Sequence, residues 1–146
     1  MKNALYRFIA FACLGVTTEI VFTATFERLW DTALSFSDKM MLAGHSYIWM
    51  IPIYGSAGFL FGKFFPLVEK LPLIARLFVY CAGIYIIEFS TGFLLDLTIG
   101  HCPWEYTTGW HFMGYIRWDY APFWLIFGYI LETVHLELNH LLKDKI

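Results

Sequence analysis

The sequence predicts an all-α, polytopic membrane four-helix bundle with an interfacial or re-entrant segment between helices 3 and 4. Three observations carry that expectation. Of the 146 residues, 59% are hydrophobic and 21% aromatic, with mean hydropathy +0.59; a soluble domain is about 45–50% apolar. Four stretches reach the roughly 20 mostly apolar residues that a bilayer crossing takes. The formal net charge is only -2, from ten basic and twelve acidic residues. No run of like charge suggests nucleic acid or an acidic partner.

The first span is read at residues 5–26. Lys2 and Arg7 around the start of the apolar run 8–16 have the look of a signal peptide, but no small-x-small cleavage site follows, so a retained helix is expected. Ala10-Phe11-Ala12-Cys13 is a poor lipoprotein box, because the apolar character continues past it. Residues 27–44, with Asp31, Ser35, Ser37, Asp38 and Lys39, are too polar to span and form a loop. The second span is read at 46–65, where Pro52 is expected to kink the helix and Gly58 with Gly62 to make a GxxxG-type contact available to another chain. The third, 71–99, is the longest and has room to tilt. The segment 101–118 is aromatic but short of aliphatics, which places it at the interface, flat or re-entrant. The fourth span is read at 120–142, and the whole of 1–146 as one transmembrane domain. Cys13, Cys81 and Cys102 give an odd count without a CxxC spacing; Cys13 and Cys81 are expected as small buried hydrophobes.

Orientation follows from the lysines and arginines of the short loops. Lys2, Arg7, Lys63, Lys70, Arg76, Lys143 and Lys145 fall on one side, and Arg28, Lys39 and Arg117 on the other. Seven against three puts both termini in the cytoplasm. On the opposite face Trp104, Tyr106, Trp110, Tyr115, Trp118 and Tyr120 have the composition of an aromatic belt.

Glu19, Glu88 and Glu132 lie inside apolar runs, and an ionisable group within the membrane is costly and points to a functional site. Glu19 follows Arg7 by twelve residues and Glu88 follows Arg76 by twelve, about 18 Å of helix in each case. The two are therefore expected at one depth, with Glu132 offset toward the cytoplasm. Helical spacing groups each with small and polar residues: Ala12, Gly15, Glu19, Thr23 and Glu27; Cys81, Tyr85, Glu88, Thr91, Gly92 and Asp96; Gly128, Tyr129, Glu132, His135 and Asn139. Such stripes pack helices in lipid. Two carboxyl groups facing each other in low dielectric would share a proton and titrate as a unit. Two readings stand: a proton-bearing or acid/base centre, or neutral carboxyls bonded to Tyr85, Thr23 or Thr91 as interhelical glue.

Glu132 and His135 form one Glu-x-x-His, a motif that occurs twice in di-metal bundles. One copy makes metal binding by Glu132 and His135 a secondary alternative to plain hydrogen bonding; no metal and no cofactor is expected. His45, His101 and His111 match no metal spacing. No GxSxG, Walker A or GxGxxG motif is present, so hydrolase, ATPase and dinucleotide chemistry have no local signature.

Glu88-Phe89-Ser90-Thr91-Gly92, then Cys102-Pro103-Trp104-Glu105-Tyr106, Met113-Gly114-Tyr115 and Asp119-Tyr120-Ala121-Pro122-Phe123-Trp124 resemble the TMEM229 family and the wider CmpB-like group of type IV ABC-transporter permeases. Gly15, Glu19-Ile20-Val21-Phe22-Thr23-Ala24 and Ile53-Tyr54-Gly55 fit the same pattern, so the resemblance covers most of the chain. It departs at Glu105, where Asp is commoner, and at Arg117, where an uncharged residue is expected and Asp119 is the candidate partner; His135 is outside the pattern. The resemblance implies a small multispan protein with a transport label, and it aligns with Glu19, Glu88, Trp104, Glu105, Tyr106, Gly114 and Glu132. Residues after Pro103 then become a roof over the carboxylates.

The expected pocket is lined by Glu19, Glu88, Tyr85, Thr91 and Asp96, roofed by Trp104, Glu105 and Tyr106, with Glu132 deeper. The first expectation is a permease-like or accessory subunit, a homo-oligomer or bound to a partner membrane protein, and in contact with membrane lipids. The second is a membrane enzyme acting on a lipid or isoprenoid with Glu19 and Glu88 as acid and base. A purely structural subunit is the third.

Overall fold

Helices form where the apolar runs lie, and they stop where prolines, glycines and polar residues interrupt them. The computed structural model describes residues 2–27 and 32–143, and over these the protein is mostly helical. Arg28, Asp31 and Lys145, used above for loop polarity and orientation, lie outside the described residues, as do the side chains of Lys2, Glu27 and Lys143. In order come α1 (Lys2–Phe22), continued by a π-helical turn (Thr23–Glu27), a short α2 (Phe36–Lys39), α3 (Met50–Val68), α4 (Leu73–Ile99), the two-residue strands β1 (His111–Phe112) and β2 (Ile116–Arg117), a 3-10 turn (Trp118–Tyr120) and α5 (Ala121–Lys143).

Among the described residues three helices are long and apolar enough to cross a membrane: Asn3–Phe26, Met50–Val68 and Leu73–Ile99. At 23 residues α5 has the length, but its second half carries Glu132, His135, Glu137, Asn139 and His140. Local chemistry sets the ends. Ser35 caps α2 by accepting from Asp38 N at 3.2 Å. Pro72 precedes α4, and Gly100 closes it in the left-handed region at φ +83, donating its N–H to Asp96 O at 2.9 Å. A residue with a Cβ would be strained there. Pro52 does not play the kinking part expected of it. With α3 starting at Met50 rather than 46, Pro52 falls in the first turn, where the missing N–H is one that has no intrahelical acceptor.

The chain divides into two compact units, Met1–Leu60 and Phe61–Ile146, and α3 contributes its first half to one and its second half to the other. In the first unit α1 and α3 approach through glycines. Gly15 lies against the Tyr54 ring and Gly55 against the Phe8 ring; a Cβ on Gly58 would come 2.9 Å from the Arg7 carbonyl oxygen and 3.3 Å from Phe11. Phe11 is completely enclosed. The expected small-residue packing is therefore used inside the chain. Gly58 faces α1, while Gly62, in the second unit, lies nearest to His135, so the pair does not offer the shared outward patch read from its spacing.

In the second unit α5 runs back along α4: Tyr85 meets residues 117 and 118, Gly128 meets Tyr80, and Glu132 meets Arg76. β1 and β2 pair antiparallel, with His111 opposite Arg117 and Phe112 opposite Ile116. The turn between them holds Met113 at φ 53 and Gly114 at φ +75. Ile116 packs with Cys81 and Tyr85 in a core flanked by Phe89, Ala121, Trp124 and Leu125. Cys81 is buried as expected, but Cys13 is exposed. Tyr129, placed in the inward stripe of α5, is exposed as well, whereas Glu132 and His135 are buried.

Candidate functional site

Glu19 belongs to the first unit. It accepts from Ser46 Oγ at 2.8 Å, and the Tyr54 side chain is a second hydrogen-bond partner. Ser46 reaches it because residues 44–46 fold against the end of α1. Gly44 lies on the Ile20 carbonyl, a place with no room for a Cβ, and Thr23 Oγ1 accepts from His45 N at 3.0 Å and sits 3.1 Å from His45 O. Thr23 thus anchors the returning backbone instead of the glutamate.

Glu88 and Asp96 belong to the second unit, on the face of α4 against which residues 101–120 fold. Tyr106 donates its hydroxyl to Glu88 Oε1 at 2.7 Å, and Tyr115 donates to Asp96 Oδ2 at 2.6 Å. Tyr85 hydrogen-bonds the carbonyls of Arg117 and Trp118, each at 3.1 Å. Trp104 Nε1 donates to Tyr115 O at 3.3 Å, and Tyr106 N to Gly114 O at 2.9 Å. Gly92 makes the approach possible: a Cβ there would already stand 3.3 Å from Cys102 Sγ and from Tyr115 Cβ, and 3.4 Å from Trp104. Burial pushes the Cys102 thiol up to about 11, and the bond to Asp96 pushes the Tyr115 phenol up to about 12.

Several expected roles change on this geometry. Thr91 bonds the carbonyls of its own helix, 2.6 Å to Ile87 O and 3.3 Å to Glu88 O, so neither it nor Tyr85 is the carboxylate partner envisaged. Glu105 is exposed, with Gly114 close to its Cγ. The aromatic belt divides: Tyr106 and Tyr115 turn inward to carboxylates, while Trp110 and Trp118 are exposed. Arg117 does pair with Asp119, at 3.0 Å from Nε to each oxygen and 2.8 Å from Nη2. Its Nη1 donates to Tyr120 Oη at 3.1 Å, and the guanidinium lies 4.4 Å from that ring's centroid. The pairing holds the Asp119 carboxyl below its ordinary range and raises Arg117 above its own.

Glu132 has a different neighbourhood. Arg76 binds it through two nitrogens, Nε to Oε2 at 2.9 Å and Nη2 to Oε1 at 2.6 Å, and Tyr80 donates to Oε2 at 2.7 Å. A guanidinium and a carboxylate meeting in parallel like this form the strong, directional kind of ion pair. The Glu132 residue is 6% exposed. Arg76 Nη1 also bonds Leu71 O at 2.8 Å, which ties the pair to the turn between α3 and α4. His135, 3% exposed, contacts Asn139 at 3.0 Å from Nε2 and packs between the rings of Phe61 and Phe65. Both glutamate oxygens hold a cation's donors, and His135 turns to Asn139, so Glu-x-x-His does not present a ligand pair. Among the described residues no group of three or more His, Cys, Asp and Glu side chains is arranged to hold a metal ion.

Ser46, Arg76 and Tyr80 are the site residues that the sequence reading missed. Arg76 carries a visible signal, a cation twelve residues before Glu88 near the end of a span, and its spacing alone reads as a marker of the membrane edge. Ser46 and Tyr80 gave none, since a hydroxyl within an apolar stretch is common.

Three apolar helices of crossing length among the described residues define the class, a membrane protein. The chain belongs to the family described as "Putative ABC-transporter type IV", whose model matches residues 6–144. No solved structure matches it.

Proposed function

We propose that this protein is a permease-like or accessory subunit of a membrane complex, with its polar centre on the α4 face where Glu88 and Asp96 receive Tyr106 and Tyr115. In this reading α1, α3, α4 and α5 form the four legs of a bundle, both termini are cytoplasmic, and residues 101–120 roof the centre. One observation carries it: two carboxylates in a crossing-length helix are each held by a tyrosine from the same non-helical segment. Family membership supports the transport class. In this reading the subunit acts in a homo-oligomer or beside a partner membrane protein.

The test is isolation of the full chain in lipid nanodiscs, followed by native mass spectrometry. A defined oligomer or a stoichiometric partner protein is expected. A chain that stays monomeric at every concentration and carries no protein would sink the subunit reading. The second reading, an enzyme acting on a lipid or isoprenoid, is favoured by the pairing of Glu88 with a phenol that can exchange a proton, and it assigns acid/base roles to Glu19 and Glu88. It requires a bound lipid or isoprenoid in the same spectra, retained by a folded Glu88→Gln variant that no longer turns it over.

A further inference from the structure

Residues 101–120 do not cap the end of α4; they run alongside it. Tyr115 meets Asp96, Tyr106 meets Glu88, and the carbonyls of Arg117 and Trp118 meet Tyr85, fourteen residues before Ile99. At 1.5 Å per residue these attachments descend about 21 Å from the helix end. Trp110 stands at the lowest level, because its carbonyl accepts from Trp118 N at 2.7 Å and its N–H points to Asp119 Oδ1 at 3.3 Å.

Charges fix where the membrane lies along α4. The turn before it carries exposed Glu69 and Lys70, so the hydrocarbon core begins near Leu73. A core of about 30 Å then takes roughly 20 helical residues, to the neighbourhood of Phe93. Tyr85 is twelve residues in, about 18 Å, close to the mid-plane. Moving the bilayer so that its edge met Tyr85 would draw Glu69 and Lys70 into hydrocarbon and lift the exposed apolar side chains of Ile86 and Phe93 into water. Both changes are unfavourable.

The part of the segment at that depth is open and carries polar groups beside the exposed Trp110 and Trp118. Thr107, Thr108, His111 and Asp119 are exposed, and Asp119 pairs with Arg117. Non-helical backbone at membrane depth persists only where protein buries it or water reaches it. Because these residues are exposed, we infer that the segment re-enters the membrane to mid-depth and that its polar end lines a water-filled vestibule, open opposite the Glu69–Lys70 turn, that admits small hydrophilic solutes. The inference rests on α4 being a full crossing and deepens the permease-like reading by giving a polar solute a path to the level of Glu88.

The test uses spin labels on the full chain in nanodiscs, in a Cys13→Ser background because Cys13 is exposed. One label is placed by Thr108→Cys and one by Ile86→Cys, with Leu94→Cys as a second lipid-facing ruler on α4. Collision with a water-soluble nickel complex is compared with collision with oxygen, which partitions into lipid. Expected is a Thr108 label relaxed mainly by nickel while the Ile86 and Leu94 labels are relaxed mainly by oxygen. Oxygen dominance at Thr108 would put the segment among acyl chains, and an immobilised label reached by neither reagent would put protein over it; either result overturns the vestibule. Nickel dominance at all three positions would show that this level of α4 lies outside the bilayer and would overturn it too. A wet Thr108 in a chain that stays monomeric leaves the vestibule standing while removing the subunit reading.

Discussion

Glu132 takes two nitrogens of Arg76 and the hydroxyl of Tyr80, while Glu88 takes the hydroxyl of Tyr106. The first arrangement compensates a full negative charge; replacing Glu132 by Leu leaves a guanidinium without its counter-charge and should destabilise the protein more than losing the Tyr80 hydroxyl does. Tyr80→Phe removes one hydrogen bond to a charged acceptor, about 1.5–3 kcal/mol. Unfolding of the purified variants in mixed micelles checks both, and equal, negligible losses would remove the ion pair from the list of what holds α4 to α5. Asp119 gives a pH dependence. Folding lowers its pKa through Arg117, so the pair stabilises residues 101–120 above the ordinary value of 3.8 and loses its effect as pH falls through the lower folded value. Protection of that segment against hydrogen exchange, taken relative to the intrinsic rate at each pH, should fall below pH 3.8, and in Asp119→Asn this acid-dependent step should be absent.

At the scale of elements, glycines decide which helices touch. Gly58 leaves space for the Arg7 carbonyl, and backbone yields less readily than a flexible side chain, so Gly58→Ala should destabilise the protein by about 1–3 kcal/mol through overpacking. Gly83 offers the contrast, since a Cβ there meets nothing within 4 Å. Gly83→Ala should be neutral or stabilise by up to about 1 kcal/mol, through helix propensity alone. Thermal unfolding of the two variants side by side separates packing from propensity. The crossing-length helices could be read from hydropathy because length and apolar content are local properties. The placement of residues 101–120 was less legible: their aromatic richness suggests a belt, the family resemblance implies a roof, and the hydroxyls of Tyr106 and Tyr115, set by a β-turn at Met113 and Gly114, turn inward.

For the molecule as a whole, the sequence makes the carboxylates conspicuous without showing their partners. Glu19, Glu88 and Glu132 stood out because charge in an apolar run is visible in any window. Each partner lies at a distance along the chain that no helical period encodes: Ser46 is 27 residues from Glu19, Tyr106 is 18 from Glu88, and Arg76 is 56 from Glu132. The same distances set a calendar for biosynthesis. The bonds from α4 to residues 101–120 join positions 18 to 33 apart, so they can close before α5 has been made. Arg76 must wait for Glu132, several seconds at the about 5–20 residues per second of translation. Until then it has the carbonyl of Leu71, five residues away and already synthesised. Its later capture by Glu132 fastens α5 to α4 after residues 101–120 can already be in place.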